Sequence, residues 1–203
     1  MAQSTKLPRF TTPEGEAVYP HLHRPDTKFH DAGIYSADLR VPATDAKGLM
    51  AELSKAYKAH VGSAIDKNSN NLWTVEKDDD GDPTGNVVFR LRVKNVLRKD
   101  GEMWERKPKL FDTSEPPKPI AVEPWGGTKM IVAFDLYSYE MPHKGMNLQP
   151  RAIQIIDLKT GGDDGASDYG FSSKEGGFKD APSQEEEEYF DMSSEEDTIP
   201  TDF

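Results

Sequence analysis

Val87-Val88-Phe89-Arg90-Leu91-Arg92-Val93-Lys94 is the stretch that decides the fold. Val87, Phe89, Leu91 and Val93 fall on one side of an extended chain, and Arg90, Arg92 and Lys94 fall on the other. Successive side chains of a strand point to opposite faces, so this alternation predicts a strand with one face in a core and one in solvent. Asn95-Val96 breaks the phase, which predicts a bulge or bend. Lys99-Asp100-Gly101 predicts a hairpin turn, with a returning strand over Glu102 to Phe111 that carries Trp104, Arg106, Lys107 and Lys109.

The same period recurs on both sides. Upstream, Tyr35, Ala37, Leu39 and Val41 alternate with Ser36, Asp38 and Arg40, and Pro42 ends the run. A shorter strand is predicted over Ala17 to Leu22, ended by Arg24-Pro25-Asp26, and Met1 to Thr12 reads as a loose arm. Leu72 to Val75 is a further short strand before the turn-rich Asp78 to Gly85. Downstream, Trp125-Gly126-Gly127 opens a strand with Met130, Val132, Phe134 and Leu136 inward and Ile131, Ala133, Asp135, Tyr137 and Tyr139 outward. Pro142 to Gly145 turns the chain into a last strand, Arg151 to Leu158.

Only one segment has helical period. Leu49, Met50, Leu53, Tyr57, Val61 and Ile65 recur on one face, which predicts a helix from Asp45 to Ile65 with Thr44 as N-cap. Five to seven short strands punctuated by Gly and Pro, with one helix, predict a mainly β domain. A five-stranded Greek-key barrel of the oligonucleotide-binding type, plugged by the helix, fits better than a β-sandwich with an added helix.

Charge divides the chain in two. Residues 162–203 hold 14 acids and two lysines, a net −12, out of 36 acids and 25 bases in all, so residues 1–161 carry a net +1. Like charge at this density with few branched apolar residues predicts a disordered acidic tail, entered through Gly161-Gly162 and ending in Phe203. The cysteine count is zero, which excludes disulfides, thiolate zinc sites and a Cys nucleophile. Met1 to Phe10 lacks the apolar stretch of a signal peptide, and no apolar run approaches a membrane span of ~20 residues. A soluble, cytoplasmic protein is expected.

The chemistry-bearing residues are cationic and aromatic. Arg90, Arg92 and Lys94 form a stripe on one strand face; Arg98, Lys99, Trp104, Arg106, Lys107 and Lys109 lie across the turn; Tyr137 and Tyr139 share another outer face. Single-stranded nucleic acid is held by this combination, since cations follow phosphates and rings stack on bases. The plain alternative is a solvated strand face. His21, His23 and His30 stand at no recognised metal spacing and read as surface histidines. Asp78, Asp80 and Asp82 imitate the opening of a calcium loop, but Pro83 occupies the glycine position and Phe89 the closing acid. As a cluster for metal-assisted phosphodiester cleavage they are a weak third reading. No phosphate loop, nucleophile elbow or zinc-protease motif occurs, and no cofactor is implied.

Tyr19 to Pro42 (YPHLHRPDTKFHDAGIYSADLRVP), the helix after it, Gly126 to Leu158 and the acid-rich end closing on Asp202-Phe203 together resemble the single-stranded DNA-binding proteins of T7-like, short-tailed bacteriophages. The resemblance implies a non-enzymatic oligonucleotide-binding barrel at 1–161 and a tail at 162–203. It implies a homodimer that coats single-stranded DNA in phage replication and recombination. The family's tail recruits the replicative polymerase and helicase-primase and covers the DNA groove when DNA is absent. Carried over, Tyr139 matches a base-stacking aromatic, and Glu195, Glu196, Asp197, Asp202 and Phe203 match the docking end of the tail. The chain departs from the family at Met141, where a second aromatic is expected, and at Phe171, Phe178, Tyr189 and Phe190, which interrupt the acids. The rival from another class is an acidic decoy, whose tail mimics DNA and whose body never touches it.

Overall fold

The computed structural model describes residues 9–28, 30–66, 70–140 and 144–160. Met141 and the acidic segment, with Glu195, Glu196, Asp197, Asp202 and Phe203, lie outside the described residues. The elements in chain order are β1 (Arg9–Thr11), β2 (Gly15–Asp26), β3 (Ile34–Pro42), α1 (Ala43–Val61), β4 (Trp73–Lys77), β5 (Pro83–Lys94), β6 (Val96–Leu97), β7 (Met103–Trp104), β8 (Lys109–Phe111), β9 (Lys129–Tyr139) and β10 (Gly145–Asp157).

Five of these strands close on themselves. β9 pairs β2, β2 pairs β3, β3 pairs β5, β5 pairs β10, and β10 returns to β9. Every contact in the ring is antiparallel except β5 with β10, which meet in parallel at Leu91 and Leu148. Closure removes sheet edges, and it demands that strands bend. β2 pairs β9 at Gly15 and Glu16 and pairs β3 from Glu16 onward, with register shifts between Val18 and His21 and between His21 and Asp26. β10 shifts register between Pro150 and Ala152 and between Ile155 and Asp157. Its first part meets β5 and its second part meets β8.

The alternating runs turn inward as their period requires. Tyr35, Ala37, Leu39 and Val41 of β3, Val87, Phe89, Leu91 and Val93 of β5, and Met130, Val132, Phe134 and Leu136 of β9 are all buried. Trp73 packs edge-on against Phe89 with ring centroids 6.5 Å apart. Ala46, Leu49 and Leu53 of α1 join the same core. The helix differs from its expected bounds. It starts at Ala43, the cap position is Pro42, and Thr44 bonds the Asp45 carboxylate instead of the backbone. It stops at Val61 because Gly62 takes a left-handed conformation (φ 84°) and returns its N–H to the Lys58 carbonyl. Ile65 is buried beyond the helix end.

Three further expectations are corrected. The supposed loose arm is a strand at Arg9–Thr11, because Phe10 stacks on Phe134 at 5.7 Å and Arg9 meets Asp135 at 3.1 Å. The first long strand runs through Pro20 and Pro25 to Asp26, since its bulges place residues where no ladder hydrogen bond is needed. The single returning strand over Glu102 to Phe111 is two short ones, β7 and β8, in different sheets. Asn95 explains the break. It is buried where the phase fails, donates from Nδ2 to the Ala32 carbonyl (2.9 Å), and accepts the Arg106 N–H at Oδ1 (2.9 Å). That bond leads the chain away from the β6–β7 hairpin.

Candidate nucleic-acid interface

The outer faces of the ring strands build one groove of about 670 Å³. Its lining includes Arg90, Arg92, Lys94, Arg106, Tyr137 and Tyr139. These come from three places in the sequence, and register brings them together. β3 lies against β5 with Ile34 opposite Lys94, Ser36 opposite Arg92 and Asp38 opposite Arg90. β10 lies against β9 with Gly145 opposite Tyr139, Asn147 opposite Tyr137 and Gln149 opposite Asp135. Cations on β5 and aromatics on β9 therefore face one channel, with β10 between them.

Arg106, Arg92 and Tyr139 are each positioned by a neighbour. Arg106 donates to Gln149 Oε1, and its ring-facing side lies over Trp104, 5.4 Å from the ring centroid. Arg98 approaches the same ring at 5.8 Å. Trp104 is thus a shelf on the β6–β7 hairpin, half exposed and braced by two guanidinium groups. Burial and the nearby Arg151 charge lower the Arg106 pKa, and Tyr137 and Asp135 oppose that shift. An arginine stays charged through such a change. Arg92 lies 3.6 Å from Asp38, whose Oδ1 is buried without a hydrogen bond. Burial raises the Asp38 pKa, and the charges of Arg92 and Arg90 only partly offset it. The carboxylate holds Arg92 in place and takes some positive potential from that end of the channel.

Tyr139 depends on a glycine. A Cβ at Gly145 would fall 2.3 Å from the Tyr139 hydroxyl oxygen and 2.4 Å from Cζ, so the ring lies directly over the Gly145 backbone. The hydroxyl also accepts a hydrogen bond from Asn71 Nδ2 at 3.0 Å. Tyr137 is about half exposed. The two tyrosines therefore differ: one is seated against the protein, the other stands freer in the channel.

Trp104 and Lys107 are exposed but do not line the groove. Ile34, Asn71, Val96, Asn147 and Gln149 do line it, and sequence reading missed them. The polar positions of Asn147 and Gln149, alternating with Met146 and Leu148, were the available signal. The Asp78 to Gly85 turn uses its acid locally: Asp78 Oδ1 accepts the N–H groups of Asp80 (3.1 Å) and Asp82 (2.8 Å). Among the described residues no group of three or more His, Asp or Glu side chains gathers to hold a metal. No described helix is long and apolar enough to cross a membrane.

No protein-family model matches the chain, and no curated protein matches it. Solved structures do. Gp2.5, a single-stranded DNA-binding protein encoded by bacteriophage T7, superposes with a TM-score of 0.58 at 20% identity, covering 86% of this chain and 100% of that one. The single-stranded DNA-binding protein of bacteriophage Enc34, in complex with single-stranded DNA, gives 0.56 at 16% identity, covering 78% and 95%. Its C-terminally truncated form gives 0.56 at 16%, covering 78% and 94%.

The chain has the fold of these phage proteins. The expected five-stranded ring of the oligonucleotide-binding type is present, with β1, β4 and β8 added to it. The helix is inserted between the second and third ring strands.

Proposed function

We propose that this protein binds single-stranded DNA without sequence preference, along the groove between β5 and β9, and acts in phage DNA replication and recombination. One observation carries the reading: Arg90, Arg92, Lys94, Arg106, Tyr137 and Tyr139, distant in sequence, line one channel. Arg90, Arg92, Lys94 and Arg106 follow the phosphates, while Tyr139, Tyr137 and Trp104 offer ring faces to bases. Lys107 adds charge beside the groove. Ring stacking tolerates every base, so the chemistry suits coating rather than readout. The fold shared with the T7 and Enc34 proteins supports this over an acidic decoy whose body ignores nucleic acid. It also favours a binding role over metal-assisted cleavage.

The domain boundary at 161/162 belongs to the same proposal, with 1–161 as the DNA-binding body. Segment 162–203, at net −12 with Phe203 last, is the docking element for the replicative polymerase and helicase-primase. We place the protein in the cytoplasm of the host cell as a homodimer.

The test is a titration with oligo-dT at several salt concentrations. Four neutralised phosphates predict a slope of log K against log salt near −3, from roughly −0.7 per contact on a single strand. Binding that is absent, or that ignores salt, overturns the proposal.

A further inference from the structure

Tyr19 stands apart from every other residue of the ring. Its side chain is 85% exposed, although it sits inside β2. Its backbone has φ 46°, a conformation that a bulky non-glycine residue adopts only under constraint from its surroundings. The strain is local to the bulge, because the β2–β3 register jumps from Val18 opposite Asp38 to His21 opposite Ser36. Tyr19 and Pro20 together stand opposite the single residue Ala37, so the bulge adds one residue to β2. The fold holds an aromatic ring outward at the position where its backbone is least comfortable.

The ring stands beside a hollow of about 370 Å³ lined by Val18, His21, Ile34, Ser36, Asp38 and Arg92 among others. Ile34 and Arg92 also line the main groove. The two depressions therefore share a wall, and together they lead from Tyr137 and Asn147 past Arg92 and Ser36 to Tyr19. That path crosses β9, β10, β5, β3 and β2. At an inter-strand spacing of ~4.8 Å it measures about 19 Å along the curved sheet.

We propose that single-stranded DNA crosses the barrel strands along this path, and that Tyr19 is a second base-stacking platform at the end opposite Tyr137 and Tyr139. The inference rests on the groove reading above and extends it. Aromatic faces bound the path at both ends, with Arg90, Arg92 and Lys94 between them. The hollow carries Arg92 as well as Asp26 and Asp38, and a strained backbone that holds an exposed ring has little structural reason to persist.

The test compares wild type, Tyr19→Phe and Tyr19→Gly with fluorescent oligo-dT of about 4 and about 16 nucleotides, the limits of site size for one such domain. Tyr19→Gly should weaken binding of the longer oligonucleotide about tenfold, within the usual worth of one stacked base. The shorter oligonucleotide, which the central groove accommodates, should lose distinctly less. Tyr19→Phe keeps the ring and should bind both like wild type. Tyr19→Gly should melt no lower than wild type, since glycine accepts φ 46° without strain, and so a binding loss cannot be misfolding. Equal affinity of Tyr19→Gly and wild type for the longer oligonucleotide overturns the second platform and leaves the central groove standing. A variant that binds normally but no longer self-associates also overturns it, by making Tyr19 a contact between copies. Wild type that binds neither oligonucleotide sinks both readings.

Discussion

Strand β9 has one inner face and two outer ones. Inward, Met130, Val132, Phe134 and Leu136 are uniformly buried. Outward, Ile131 and Ala133 line an apolar hollow with Thr11, Phe111, Pro117 and Ile153. Tyr137 and Tyr139, a few residues on, line the cationic groove. Asp135 separates the two regions, held by Arg151 Nε at 2.7 Å and Arg9 Nε at 3.1 Å. The neighbours set the difference. β1 pairs Arg9 to Thr11 with Asp135 to Ala133 in the middle of the strand, and among the described residues it goes no further along β9. A period-two pattern thus makes a barrel, while the side chains that neighbouring segments bring to its exterior make one outer region apolar and the other cationic and aromatic.

Breaking the inner face should cost most. Phe134→Ala removes a fully buried ring that also stacks on Phe10. Truncations of this kind cost about 3–5 kcal/mol. Denaturant unfolding should show the loss together with release of β1, and a change below about 1 kcal/mol would mean that the β9 inner face is not the barrel core.

At the tyrosine end the effect should move from stability to binding. Tyr139→Ala should weaken oligo-dT binding by about 1–3 kcal/mol, the worth of one stacked base, with the fold retained. Gly145→Ala should act in the same direction without touching the ring, because the new Cβ occupies the space of the Tyr139 phenol. If Gly145→Ala binds like wild type, the seated orientation of Tyr139 is irrelevant to binding. If Tyr137→Ala weakens binding and Tyr139→Ala does not, the freer ring is the platform.

The dividing point should give the smallest effect. Burial raises the Asp135 pKa, but the bonds and charges of Arg151 and Arg9 outweigh it, so the carboxyl titrates below its ordinary value. Its ionised form is therefore favoured in the folded state. The stabilisation is complete above the unfolded pKa of about 3.9 and disappears as pH falls through the lower folded value. Both arginines are substantially exposed, so Asp135→Asn should cost only about 1 kcal/mol at neutral pH. The variant and wild type should draw together in stability only as pH falls below the unfolded pKa and through the lower folded one. A difference that persists in acid would mean that the aspartate acts by shape and not by charge.

Much of this was legible along the chain. The inner faces of β3, β5 and β9 follow from alternation alone, because a strand buried on one side must repeat every second residue. The cationic and aromatic members of the groove were visible as its outward positions. Charge counting separated the acidic segment from the body, and the hairpin at Lys99 to Gly101 was a local turn signal. Other features depend on partners far away in sequence. Pairing of Phe10 with Phe134, and of Arg9 with Asp135, made a strand of what local pattern reads as an arm. The single buried Asn95, bonded to both Ala32 and Arg106, broke the expected return strand. Ring closure through the parallel contact of Leu91 with Leu148 placed β10 between cations and tyrosines, and so made Asn147 and Gln149 part of the groove. The seat of Tyr139 over Gly145 and the outward Tyr19 in its bulge have no signature in period or composition. Alternation tells each strand which side to hide, whereas the choice of neighbour, the bulges needed to close the ring and the resulting union of separate faces are properties of the assembled barrel.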